Sequence, residues 1–149
     1  MFEINHEIDI DAPASAVWAV ITDFDSYPQW NPFVVSAQSS LKPGEPIDMK
    51  VKLLGPVQRQ VEIILNVDEG KGFSYCMKPF PFGALSSERS HRIVDLGDGR
   101  CHYSSHFHLQ GWMMPLVRGL MKSALLRGFN NMSEAIKQRA ESMKTRDAA

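Results

Sequence analysis

The chain has 149 residues, 44% apolar and 22% charged, values that fit one globular domain able to bury its own core. Its 16 basic residues stand against 17 acidic ones, a net charge of -1, which leaves no basic field to gather nucleic acid. Cys76 and Cys101 lie in no metal-type spacing, the N-terminus lacks a signal-peptide pattern, and no apolar run could span a bilayer, so a soluble cytoplasmic protein is expected.

Phe2 to Asp11 alternates strictly, with Phe2, Ile4, His6, Ile8 and Ile10 on one side and polar residues on the other. That period predicts a strand with one dry face. Pro13 suits a first helical turn, where its missing N–H costs nothing. Val17, Val20, Ile21 and Phe24 then recur at the spacing of a short amphipathic helix. Asp25 to Pro32 carries two prolines and reads as a turn plus a helical fragment leading the chain back toward a sheet.

Short apolar runs separated by turn residues follow. Strands are expected at Val34–Ser40, Ile47–Leu53, Val57–Val67, Phe73–Met77, Leu85–Leu96 and Arg100–Gln110. With no helices between them they form an antiparallel meander. After Gly111 apolar residues recur at threes and fours from Val117 to Ile136. This predicts a helix over Met114–Lys144, roughly 45 Å long at about 1.5 Å per residue. Thr145–Ala149 is expected to fray. The fold class is therefore α+β: a seven-stranded curved antiparallel sheet, two short helices after the first strand, and a long C-terminal helix. A sheet curving around a helix meets it poorly along its length, so a cavity is expected between them.

The string Ile10-Asp11-Ala12-Pro13 to Val17-Trp18, followed by Asp23-Phe24-Asp25-Ser26-Tyr27-Pro28-Gln29-Trp30-Asn31-Pro32, resembles the opening of START-like (SRPBCC) domains. The stretch Arg127 to Met132, with Ala135 to Lys137 and Arg139 to Glu141, resembles the C-terminal helix of small bacterial members. The resemblance spans nearly the whole chain and implies the helix-grip fold. The superfamily includes polyketide cyclases, lipid-transfer domains, coenzyme Q-binding proteins and pollen allergens, so it leaves the task open. It also implies a carboxylate in the last strand where this chain has Phe107, beside a histidine matching His91. The imidazole is kept and the acid is lost.

A hairpin across Gly97-Asp98-Gly99 places Ile93 opposite Tyr103, His91 opposite Ser105, and Arg89 opposite Phe107. All share one face. Arg89, His91, Tyr103 and Ser105 then form a polar cluster in an apolar cavity. Arg89 either points inward, where an unpaired charge demands a partner, or reaches the rim and water. His91 is either a general base or a satisfied interior imidazole, and Tyr103 either a hydroxyl donor or a wall. The remaining lining is expected from Trp30, Phe107, Leu120, Met121 and Ala124. His102, His106 and His108 alternate on the opposite face, where a solvated surface is favoured over a metal site. His6, on the dry face of the first strand, is expected to line the cavity or be hydrogen-bonded. Phe80 and Phe82, between prolines, form a stiff apolar flap that guards the mouth, offers a partner patch, or tucks into the core.

These features favour a carrier of a small hydrophobic ligand, without cofactor or metal, acting as a monomer or weak homodimer. A cyclase-like enzyme using Arg89, His91 and Tyr103 ranks second. A protein-interaction module built on the flap or on Arg118, Lys122 and Arg127 ranks third.

Overall fold

A computed structural model describes the backbone of residues 1–148 and side chains through Met143. The elements run β1 (Phe2–Ile10), α1 (Ala14–Thr22), a 3-10 turn (Phe24–Ser26), α2 (Tyr27–Trp30), β2 (Val34–Ser39), β3 (Pro46–Val51) and β4 (Gln58–Asp68). They continue with β5 (Gly72–Met77), a 3-10 turn (Pro81–Gly83), β6 (Ser86–Asp95), β7 (Cys101–Gln110) and α3 (Met114–Ala148). Each expected element is present, with ends shifted by one or two residues where strands run into turns. α3 runs on to Ala148, four residues past its expected end at Lys144 and into the expected frayed tail, and residue 149 lies outside the described residues.

The strands form one antiparallel sheet in the order β1-β7-β6-β5-β4-β3-β2. Only β1 leaves sequence order, because α1 and α2 carry the chain from one sheet edge to the other. The β6–β7 register pairs Ile93 with Tyr103, His91 with Ser105 and Arg89 with Phe107, as the glycine turn predicts. One residue of slip would have sent all of these to the opposite face.

The two halves of α3 behave differently. Leu125, Phe129, Met132, Ile136 and Ala140 are buried at spacings of three and four and seat the C-terminal half on the sheet and α1. Gly128 permits this approach, since a Cβ there would run into the Phe33 ring. From Met114 to Ser123 no side chain is fully buried. That half lies across the open end of the curl, above a cavity.

Candidate functional site

The cavity has a volume of about 490 Å³ and is open at one end. Phe33, Met49, Leu85 and Phe107 contribute apolar wall from the sheet side, and Val117 and Met121 contribute it from α3. Charge reaches that surface through buried Arg89 on β6 and half-buried Glu62 on β4, with exposed Arg59 and Lys78 also on the lining.

Arg89 is 4% exposed, so it lies inside and does not reach the rim. Its contacts are neutral and long: Nη1 donates to the Tyr75 hydroxyl at 3.4 Å, and Nη2 to Ser105 Oγ at 3.4 Å and Met132 Sδ at 3.3 Å. The guanidinium carbon sits 4.4 Å from the Phe129 ring centroid, which supplies cation–π attraction. Nε is buried without a partner. Among the described residues no carboxylate lies within ion-pair distance of Arg89. A buried guanidinium held only by neutral groups keeps donors free for an anion entering the cavity.

Glu62 is the acid that sequence reasoning missed. The β3–β4 register sets it opposite buried Ile47, which turns it inward. Burial raises its pKa from 4.5 to about 7, and the positive charge of Arg89 only partly opposes that rise. The sequence held a signal: Glu62 shares strand parity with Ile64, 1% exposed, so both belong to the inner face. The carboxyl on the cavity lining thus comes from β4, and the β7 position holds Phe107. Phe107 packs 5.0 Å from the Phe129 ring instead.

His91, Tyr103 and Ser105 share the inner face but lie behind the cavity surface, not on it. His91 Nδ1 and the Tyr103 hydroxyl share a hydrogen bond of 2.6 Å. Burial, aided by Arg89, pushes the His91 pKa well below 6.5, so the imidazole is held neutral. Burial likewise pushes Tyr103 up to about 12. Both rings form a layer with Phe73 and Tyr75 that supports the β6 strand carrying Arg89.

Three expected lining residues need correction. Leu120 is 70% exposed, because the contacting face of α3 follows Val117 and Met121 and the turn beneath Leu120 meets no wall. Ala124 is buried but stands off the cavity surface. Trp30 packs on Tyr27 with ring centroids 5.1 Å apart and does not line the cavity. Of the residues expected to line the cavity, Arg89, Phe107 and Met121 reach it. His6 does not, and its Nδ1 is buried without a partner.

Of the outer-face histidines, His102 meets carboxylates supplied by β1, Asp9 and Glu7. Asp9 Oδ1 lies 2.6 Å from His102 Nδ1, which raises the histidine's pKa, and His106 pairs with Asn5. Among the described residues no group of three or more His, Cys, Asp or Glu could hold a metal. Nor is any helix long and apolar enough to cross a membrane.

The sequence matches the model of a family described as polyketide cyclase/dehydrase and lipid transport over residues 1–141. Comparison with curated proteins found no match. Among solved structures, a START superfamily protein from Mycobacterium smegmatis superposes with TM-score 0.74 at 16% identity, covering 95% of this chain and 98% of that one. Norcoclaurine synthase from Thalictrum flavum gives TM-score 0.68 at 17% identity, covering 92% and 84%. The di-domain ARO/CYC BexL gives TM-score 0.66 at 16% identity, and the chain covers 47% of it. At these identities the likeness is one of fold.

Proposed function

The chain belongs to the polyketide cyclase/dehydrase and lipid-transport family, and on that premise we propose that it binds and carries a small, largely apolar molecule bearing an acidic group. The observation that carries this reading is Arg89, buried with neutral partners at the inner end of an apolar cavity. The apolar body of the ligand packs on Phe107, Val117 and Met121. Its acidic group receives the guanidinium donors, a charge-assisted contact stronger than the neutral ones it displaces.

The test uses a fluorescent naphthalene sulfonate against its uncharged analogue. The wild-type protein should bind the sulfonate at least about tenfold more tightly, and Arg89→Met should erase that preference while keeping the neutral probe. Equal binding of both probes by the wild type would refute the acidic group. No binding of either would refute the carrier reading. Native mass spectrometry of freshly purified protein identifies any ligand that co-purifies.

One observation favours a second reading, a cyclase-like enzyme. A carboxyl group with a pKa of about 7, facing an apolar cavity, is suited to exchange protons near neutral pH. In that case Glu62 holds the proton, Arg89 stabilises enolate charge, and the His91–Tyr103 layer positions Arg89 without touching substrate. Turnover of a polyketone substrate that survives Glu62→Gln unchanged would remove this reading.

A further inference from the structure

A second feature lies outside the cavity, at its mouth. Phe82 is 97% exposed, and its backbone holds the left-handed φ of 58°, a conformation costly for an aromatic residue. The Trp112 indole N–H donates to the Phe82 carbonyl at 3.1 Å, and Met113 N–H donates to the Ala84 carbonyl at 3.0 Å. These bonds fix the Pro81–Gly83 turn against the start of α3 and hold the Phe82 ring outside the core. Trp112, Leu116 and Leu120 follow one another four residues apart and are 69%, 59% and 70% exposed. Phe80, 47% exposed, also lines the cavity, which joins the outer patch to the opening. An exposed apolar surface of this size and continuity is uncommon on a monomer without a partner.

Its charge names the partner. Between Met77 and Leu85 and between Gly111 and Ser133 the chain carries Lys78, Arg118, Lys122 and Arg127 and no Asp or Glu, although acids outnumber bases overall. Arg127 shares the helical face of Leu116 and Leu120 and Lys78 enters from the flap, whereas Arg118, over the Phe2 ring, and Lys122 fall on the far side of the helix. A second copy of this chain would set these cations against themselves, which disfavours a symmetric dimer through the patch. Aromatic and aliphatic tips among uncompensated Lys and Arg match the interface of an anionic bilayer.

We propose that the Phe82 turn, Trp112 and the first turns of α3 form a docking face for an anionic lipid bilayer, holding the cavity mouth against the membrane surface. Phe82, Trp112, Leu116 and Leu120 enter the headgroup boundary, while Lys78 and Arg127 remain among the headgroups. Docking needs no ligand in the cavity, so it stands or falls separately from the carrier reading.

The experiment is co-sedimentation of full-length protein, extracted of any bound ligand, with vesicles of phosphatidylcholine containing about a third phosphatidylglycerol. Binding is expected there, weak binding to pure phosphatidylcholine, and a decline as salt rises. Phe82→Ser with Trp112→Ser should weaken binding at least about tenfold, since each ring forfeits buried apolar area. Lys78→Glu with Arg127→Glu should remove the preference for the anionic vesicles. These side chains are exposed, and circular dichroism verifies that the variants fold. No binding by the wild type, or equal binding by the Ser variant, would overturn the proposal. So would a solution dimer that the Ser substitutions dissociate, because the patch would then be covered by a second copy.

Discussion

Replacing Glu62 by Gln should make the protein more stable at neutral and mildly alkaline pH. The folded state raises the Glu62 pKa from 4.5 to about 7, mainly by burying the carboxyl in the cavity wall. The folded chain therefore holds this proton more tightly than the unfolded chain does. By linkage, stability from this group is full below pH 4.5, declines as pH rises between 4.5 and about 7, and stays at its lower level above that. Each pH unit of displacement corresponds to about 1.4 kcal/mol, so the ionised carboxylate costs the fold at most about 3.5 kcal/mol. Partial access of solvent to the cavity lowers that ceiling. Glutamine keeps the shape and cannot ionise. Urea unfolding of both proteins at several pH values from 4.5 to 8 measures the effect, because the difference between them cancels every other titrating group, His91 included. The stability difference should shift in favour of Glu62→Gln across this range by about 1–3 kcal/mol. A difference independent of pH would show that Glu62 titrates as an ordinary exposed carboxylate, and the electrostatic account of the cavity would fail with it.

Arg89→Met should raise the unfolding midpoint of ligand-free protein by an amount equivalent to about 1–3 kcal/mol, since an unpaired buried charge gives way to an apolar chain of similar volume. Thermal unfolding checks this, and a lower midpoint would mean that the neutral contacts of Arg89 are net stabilising. Tyr103→Phe should cost about 1–2 kcal/mol by orphaning His91 Nδ1, read from urea midpoints. Gly128→Ala should cost about 1–3 kcal/mol, because the new methyl displaces the Phe33 ring and lifts α3 from its seat. On the outer face, the His102 midpoint followed by NMR should lie above 6.5 and fall toward it in Asp9→Asn, since the Asp9 hydrogen bond is the leading cause of the rise.

Local pattern determined most of the architecture. Alternation along β1, the glycine turn between β6 and β7, and the apolar stripe of α3 each answer to short-range geometry, so the strands, the β6–β7 register and the helix could be read directly. Placement of Arg89, His91, Tyr103 and Ser105 on one inner face followed from that register. Their depth did not. Which of them reach the cavity depends on how far α3 stands off the curved sheet, a distance no periodicity encodes. The stripe on α3 therefore placed Leu120 at the wall, although the first turns of that helix have nothing beneath them to pack on. The exposure of Phe82 likewise rests on hydrogen bonds between a turn and a helix start some thirty residues apart. Glu62 shows the division most clearly. Its parity with Ile64 was present in the sequence, but only the assembled sheet brings β4 and β6 to face a common cavity and gives that carboxyl the charge of Arg89 as its neighbour.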